Sequence, residues 1–218
     1  ALFREAVDIY RQLPAEYELD LAITLNSLAS LLQDRKDYHL AKKYYQESLE
    51  ICRELLGEKH GYVAEIISNL ADLHHALGGY KKADSLFTVA LDMQRELHGS
   101  YHKNVAIMTL NLARNSRDRG NYKSAIPKYM QALSLFREIL GDRHPYTAMC
   151  LYSYGNCLIA QGDFDRAADI LSEAVDVYEV SRARMESGIE QAEFQNSPYP
   201  KLAAVIWLLT SFMKPGKL

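Results

Sequence analysis

The stretch Tyr38-His-Leu-Ala-Lys-Lys-Tyr-Tyr-Gln-Glu-Ser-Leu-Glu-Ile-Cys-Arg-Glu-Leu-Leu-Gly57 decides how this chain is read, because it returns. Its opening, Tyr38-His-Leu-Ala41, reappears as Tyr80-Lys-Lys-Ala83, Tyr122-Lys-Ser-Ala125 and Phe164-Asp-Arg-Ala167, each start 42 residues after the one before. The first three copies close on Gly57, Gly99 and Gly141, and a histidine follows three residues later at His60, His102 and His144. A fixed period with fixed apolar positions marks units that cannot bury their own hydrophobic faces and so stack on one another. Within the quoted stretch Ala41, Tyr45, Leu49 and Cys52 lie on one face of a helix, here called helix B. Upstream, Leu21, Leu25, Leu28 and Leu32 form the stripe of a preceding helix A, with Asp20 the expected N-cap.

Working outward, repeats fall at about 20–59, 60–101, 102–143 and 144–180. Each A helix carries Ala near its start (Ala22, Ala64, Ala106, Ala148) and a small residue further on (Ala29, Ala71, Ala113, Gly155), which lets neighbouring backbones approach closely. The turn inside each hairpin holds Gly78-Gly79, Gly120-Asn121 and Gly162-Asp163, residues that tolerate positive φ. Repeat one has Lys36-Asp37 there and should be less comfortable. Gly57 is expected in the left-handed conformation that ends a helix, and Pro127 is expected to bend or delay its helix B.

Both ends depart from the rhythm. Phe3, Val7 and Leu13 stand 42 positions before Tyr45, Leu49 and Leu55, so residues 1–14 read as the second helix of a repeat whose first helix lies upstream, stopped by Pro14. After Val180 the period fails, and residues 181–218 read as a C-terminal extension. Ser181 to Gln195 prolongs helix B, Pro198 and Pro200 break the chain, and Leu202–Met213 with Trp207 follows as a capping helix over the open end of the stack or as an interface with a further domain.

Composition narrows the function classes. A formal charge of −3 lacks the broad basic field of nucleic-acid binding. Cys52, Cys150 and Cys157 form no Cys-x-x-Cys pair, which points to a reducing, cytoplasmic setting. The most apolar run, Leu202–Met213, is shorter than the roughly 18 residues of a membrane span. No phosphate-cradling glycine loop, Gly-x-Ser-x-Gly or His-Glu-x-x-His occurs, so no catalytic residue and no cofactor is assigned. The three periodic histidines stand one repeat apart, roughly 10 Å or so by helix packing, too far to share a metal, and are read as linker residues. Buried structural thiols are expected at Cys150 and Cys157.

Spacing inside the unit identifies a family. The small residue of helix A and the Ala of helix B are 12 apart in every repeat. An aromatic residue or Leu follows four later (Tyr45, Phe87, Tyr129, Leu171), then a small residue (Ser48, Ala90, Ala132, Ala174). That resembles the tetratricopeptide signature, with Arg53, Arg95, Arg137 and Glu179 where the signature ends on Pro, so that helix B runs on for about two more turns. The 42-residue form, best seen in Thr109-Leu-Asn111-Leu-Ala113 and Leu140-Gly-Asp-Arg-His-Pro145, is similar to kinesin light chain repeats, although Tyr62, Asn104 and Tyr146 stand where those carry Asp. Similar arrays occur in STAND-type ATPases and in caspase-like proteases of the CHAT class.

The resemblance implies an all-α, right-handed α-α superhelix of antiparallel helix pairs, with A helices lining a concave groove. It places Ile23, Ser27 and Ser30, then Glu65, Asn69 and Asp72, then Ile107, Asn111 and Arg114, then Met149, Ser153 and Asn156 on that inner surface. Short hydrogen-bonding side chains beside apolar ones suit an extended peptide. Ser27, Asn69, Asp72, Asn111, Arg114, Ser153 and Asn156 are the candidate ligand contacts, with Asn69 and Asn111 holding a ligand backbone. Arg114, Arg117 and Arg119 supply a positive patch for an acidic group. The expected role is a protein-interaction scaffold for a peptide or protein segment. The alternative is a regulatory arm of a larger enzyme, meeting further domains of the same protein through Leu202–Met213.

Overall fold

The computed structural model describes residues 2–186; the expectations for Gln195 and for Leu202–Met213 lie outside them. Among the described residues there are nine α-helices and no strand. They run α1 (Leu2–Tyr10), α2 (Glu18–Asp34), α3 (Tyr38–Leu56), α4 (Gly61–Ala76), α5 (Tyr80–His98), α6 (Lys103–Asp118), α7 (Tyr122–Leu140), α8 (Pro145–Gln161) and α9 (Phe164–Glu186). The principal packing joins α2 to α3, α4 to α5, α6 to α7 and α8 to α9, which are the A–B hairpins of the four repeats. The chain divides after Ser100 into two compact units. In the first, α2–α3 and α4–α5 pack with α1 against α2; in the second, α6–α7 packs with α8–α9.

Each hairpin closes on the same contact. The helix B positions Ala41, Ala83, Ala125 and Ala167 are fully buried, as are the small residues Ala29, Ala71 and Ala113 of helix A. Gly155 shows why that A position stays small: a Cβ there would lie 2.6 Å from the Leu171 side chain, which sits where the other repeats carry Tyr45, Phe87 and Tyr129. Ser48 is buried too, and its hydroxyl donates to the Ala22 carbonyl at 2.7 Å, satisfying itself inside the hairpin.

The turns follow the sequence with one exception and one refinement. Gly78, Gly120 and Gly162 take φ of 74°, 81° and 91°, and Lys36 is forced to φ 64° at the same place, the strained turn the sequence predicts. Asp37, Asn121 and Asp163 then accept a backbone N–H from the first turn of the following B helix. Gly57, Gly99 and Gly141 also have positive φ, but with ψ of 172°, 177° and 162°. That is an extended region open essentially to glycine alone, not the left-handed helical cap expected.

Three local expectations are corrected. Asp20 does not cap α2: a 3-10 turn at Ala15–Tyr17 leads directly into a helix that starts at Glu18, so Asp20 lies in its first turn and favours the positive end of the helix dipole instead. Pro127 does not delay α7, which starts at Tyr122 and spans the same 19 residues as α3 and α5. The helix before Pro14 ends at Tyr10 and continues as a turn, rather than reaching residue 13. The prolonged last helix is seen as far as Glu186, at 23 residues.

Candidate functional site

The A helices of the first unit, α2 and α4, present Ile23, Ser27 and Ser30 beside Glu65, Asn69 and Asp72. Ile23, Ser30 and Glu65 are exposed; Ser27, Asn69 and Asp72 are half-buried. The Asn69 amide donates to Asn26 Oδ1 at 2.9 Å, and the Asn26 amide donates to Glu65 Oε1 at 3.2 Å, so a polar chain ties α4 to α2 across the face. The Ser27 hydroxyl donates to the Ile23 carbonyl of its own helix at 3.0 Å. Neighbouring protein strips enough water from the Glu65 carboxyl to raise its pKa above the ordinary value, with the Asn26 amide opposing the shift. Below the face the buried Tyr45 hydroxyl bonds to Ser30, and burial pushes its pKa up to about 12. Asn26 was not among the sequence candidates. It stands one position before Ser27, where an A helix meets the next A helix.

In the second unit the matching surface of α6 and α8 holds Ile107, Asn111, Arg114, Met149 and Asn156, all half-buried. Ser153 is buried, so of the predicted contacts it is the one withdrawn from a ligand's reach. Arg114 Nη1 donates to Asn111 Oδ1 at 3.4 Å, and Arg117 donates to Asp118 at 2.8 Å. The fully buried Tyr129 stacks on Tyr154 with ring centroids 5.9 Å apart. Burial raises the Tyr129 hydroxyl far above the usual tyrosine range although Arg117 and Arg114 pull it down.

The two faces differ in charge. α2 and α4 carry Glu18, Asp20, Asp34, Glu65 and Asp72 and no Lys or Arg. α6 carries Lys103, Arg114 and Arg117 against Asp118, and α8 carries no charged side chain. Outer helices α3 and α5 each balance three cations with three carboxylates. The outer helix α7 of the second unit shares the positive excess of α6, with Lys123, Lys128 and Arg137 against Glu138.

The periodic histidines fix where those helices begin. His60, His102 and His144 adopt extended backbone angles, and each Nδ1 accepts the backbone N–H two residues on, from Tyr62, Asn104 and Tyr146 at 3.2, 3.2 and 3.1 Å. They are N-caps, a more definite role than the linker packing read from the sequence. Their fixed place immediately before α4, α6 and α8 was the signal, although histidine is outside the usual set of capping residues.

A second concavity of about 660 Å³ lies on the B side of the second unit, bounded by Met130 and Leu133 of α7 and Ile170 of α9. Its arginines are engaged: Arg137 with Glu173, and Arg166 with Asp163 at 3.2 Å and with the Tyr154 hydroxyl at 2.7 Å. No helix among the described residues is long and apolar enough to cross a membrane.

Repeated antiparallel helix pairs with small residues at the A–B contact and a polar, hydrogen-bonded A face define a helical-repeat protein. The tetratricopeptide repeat family profile matches residues 20–96 and 104–179, and the chain belongs to that family. Its fold is shared with BtubC (BKLC) from P. vanneervenii, at 21% identity and TM-score 0.70, with 99% of this chain and 92% of that chain covered. A putative kinesin light chain of nearly identical repeats from Podosopora anserina follows at 19% identity and TM-score 0.63, covering 90% and 87%. A Rap protein complexed with competence and sporulation factor matches at 18% identity and TM-score 0.68, covering 83% of this chain but 48% of that one. These units are tetratricopeptide repeats, and among the described residues the fold is all-α. A search of the curated proteins returned no match.

Proposed function

We propose that this chain is a protein-interaction scaffold whose A-helix faces hold an extended peptide or protein segment. The observation that carries the reading is the arrangement of half-buried amides on those faces. Asn69 and Asn111 each stand at the inward place of their helix, and each has one end of its amide held by a neighbour, Asn26 or Arg114. Orienting an amide in advance lowers the entropy lost when its other end meets a ligand backbone. Asp72 and Asn156 extend the polar rows, while Ile23, Ile107 and Met149 offer apolar surface for side chains. Arg114 and Arg117 suit an acidic ligand side chain on the second unit, and the carboxylates of α2 and α4 disfavour one on the first. The Rap neighbour, solved with a bound factor, supports ligand binding as a use of this fold.

Peptides selected from a random display library against the intact chain test the reading. Asn69→Ala with Asn111→Ala should weaken the selected peptides by about tenfold or more, the range expected when two oriented hydrogen bonds of about 1 kcal/mol each are removed. Thermal unfolding should move little. Unchanged affinity in the double variant contradicts this placement.

A further inference from the structure

The aromatic position of helix B carries a hydroxyl in two repeats, at Tyr45 and Tyr129; Phe87 and Leu171 stand there in the others. Tyr45 and Tyr129 are 2% and 0% exposed. The Tyr45 hydroxyl reaches Ser30 of α2 and bonds to it. In the second unit Arg114 stands at the place of Ser30, just as Tyr129 stands at the place of Tyr45. A guanidinium carries donors and no acceptor, so it cannot take the hydroxyl proton. The Tyr129 hydroxyl accordingly has no hydrogen-bond partner among the described residues. Buried polar groups are normally paired, so an exception points to a partner from outside.

Other donors converge on the same spot. Burial raises the pKa of the Tyr129 hydroxyl, and the charges of Arg117 and Arg114 are near enough to oppose that rise. Arg114 donates to Asn111 Oδ1 at 3.4 Å, a long bond that leaves most of its N–H groups to spare. Arg117 is held by Asp118 at 2.8 Å. The neighbouring A helix, α8, brings the half-buried Asn156 at the register of Arg114 and no charged side chain. Two guanidinium groups against one carboxylate leave a single positive charge uncompensated at this end of α6.

We propose that this part of the second unit is a carboxylate-binding subsite, in which Arg114 and Arg117 grip a carboxylate of the bound segment and Tyr129 supplies its buried O–H as a further donor. The inference rests on the reading that the A-helix faces hold a peptide or protein segment, and adds to it the chemistry of one ligand group and a contact from a B helix. The hydroxyl oxygen is out of contact with water, so the Arg114 side chain, held by its one long bond, turns aside as the carboxylate enters. A carboxylate matches the single charge left over, whereas a phosphate group, at about −1.5 to −2, exceeds it. The first unit offers no such subsite, because Ser30 already partners Tyr45 and Glu65 and Asp72 of α4 repel an anion.

Peptides selected from a random display library against the intact chain are the probes. They should share an Asp or Glu whose change to Asn or Gln weakens binding by about tenfold or more in isothermal titration, the range for a hydrogen bond to a charged group. Amidating the peptide C-terminus separates a side-chain carboxylate, which it leaves untouched, from a terminal one. Tyr129→Phe deletes the hydroxyl alone. It should weaken the acidic peptide by about tenfold and change the affinity of the neutralised peptide little. Thermal unfolding should come no lower than in the parent, since the variant loses an unpartnered donor and keeps the ring. Arg114→Ser, which restores the first-unit residue, should abolish the preference for the acidic peptide. The proposal is overturned if neutralising and amidating the peptides leaves their affinity unchanged. It is equally overturned if neutralisation costs as much in Tyr129→Phe as in the parent; that coupling decides the matter whatever the melting temperature of the variant. Asn69→Ala with Asn111→Ala reports separately, because unchanged binding there contradicts the amide placement and leaves the carboxylate result standing.

Discussion

Lys36 is the residue at which this chain works against its own pattern. Three repeats place glycine at the positive-φ position of the A–B turn, and the first places a lysine there at φ 64°. Lys36→Gly removes a Cβ clash of about 1–2 kcal/mol and restores chain entropy to the unfolded state, an opposing change of about 0.4–1 kcal/mol. A net gain of up to about 1.5 kcal/mol should appear as a higher urea midpoint with an unchanged slope. A lower midpoint would show that Lys36 earns its place through a contact the turn geometry does not reveal. Glu65 offers a second test at this scale. Its folded pKa is raised, so the fold favours the protonated form; that contribution is full below the ordinary glutamate value of 4.5 and is lost as pH rises through the higher folded value. Glu65→Gln keeps an oxygen for the Asn26 amide and titrates nowhere in this range. The variant should melt above the parent at pH 7, and the difference should close below about pH 4; a gap that widens toward acid pH contradicts the sign.

At the scale of the helix, the A–B contact is the least forgiving feature. Ala125 is fully buried where α7 meets α6, and Ala125→Arg must bury a charge or part the two helices, at a loss of about 3–5 kcal/mol. Thermal melting of that variant should fall sharply or lose cooperativity; a curve like the parent's would mean the inward face has been misassigned. Helices, hairpin turns and buried faces were legible because a 42-residue period repeats each position several times, so a chance apolar residue is averaged away. Where the chain departed from the reading, the cause lay in something periodicity does not encode. Asp20 is a good capping residue, but the 3-10 turn ahead of it starts the helix three residues early, at Glu18 rather than Leu21. The histidine caps depend on a ring nitrogen reaching a backbone N–H, which is a matter of χ angles rather than spacing. Ser153 shares its register with Asn69 and Asn111, yet on α8 that position is buried.

For the molecule as a whole, the family follows from spacing, and the proposed ligand-bearing surface rests on the half-buried, pre-oriented amides of the A helices. The most direct measurement is hydrogen exchange by mass spectrometry on the intact chain, with and without a saturating display-selected peptide. The account predicts added protection in α2, α4, α6 and α8, with α3, α5 and α7 unchanged, and loss of that protection in Asn69→Ala with Asn111→Ala. Protection concentrated in α3, α5 and α7, with the A helices unaltered, would contradict it.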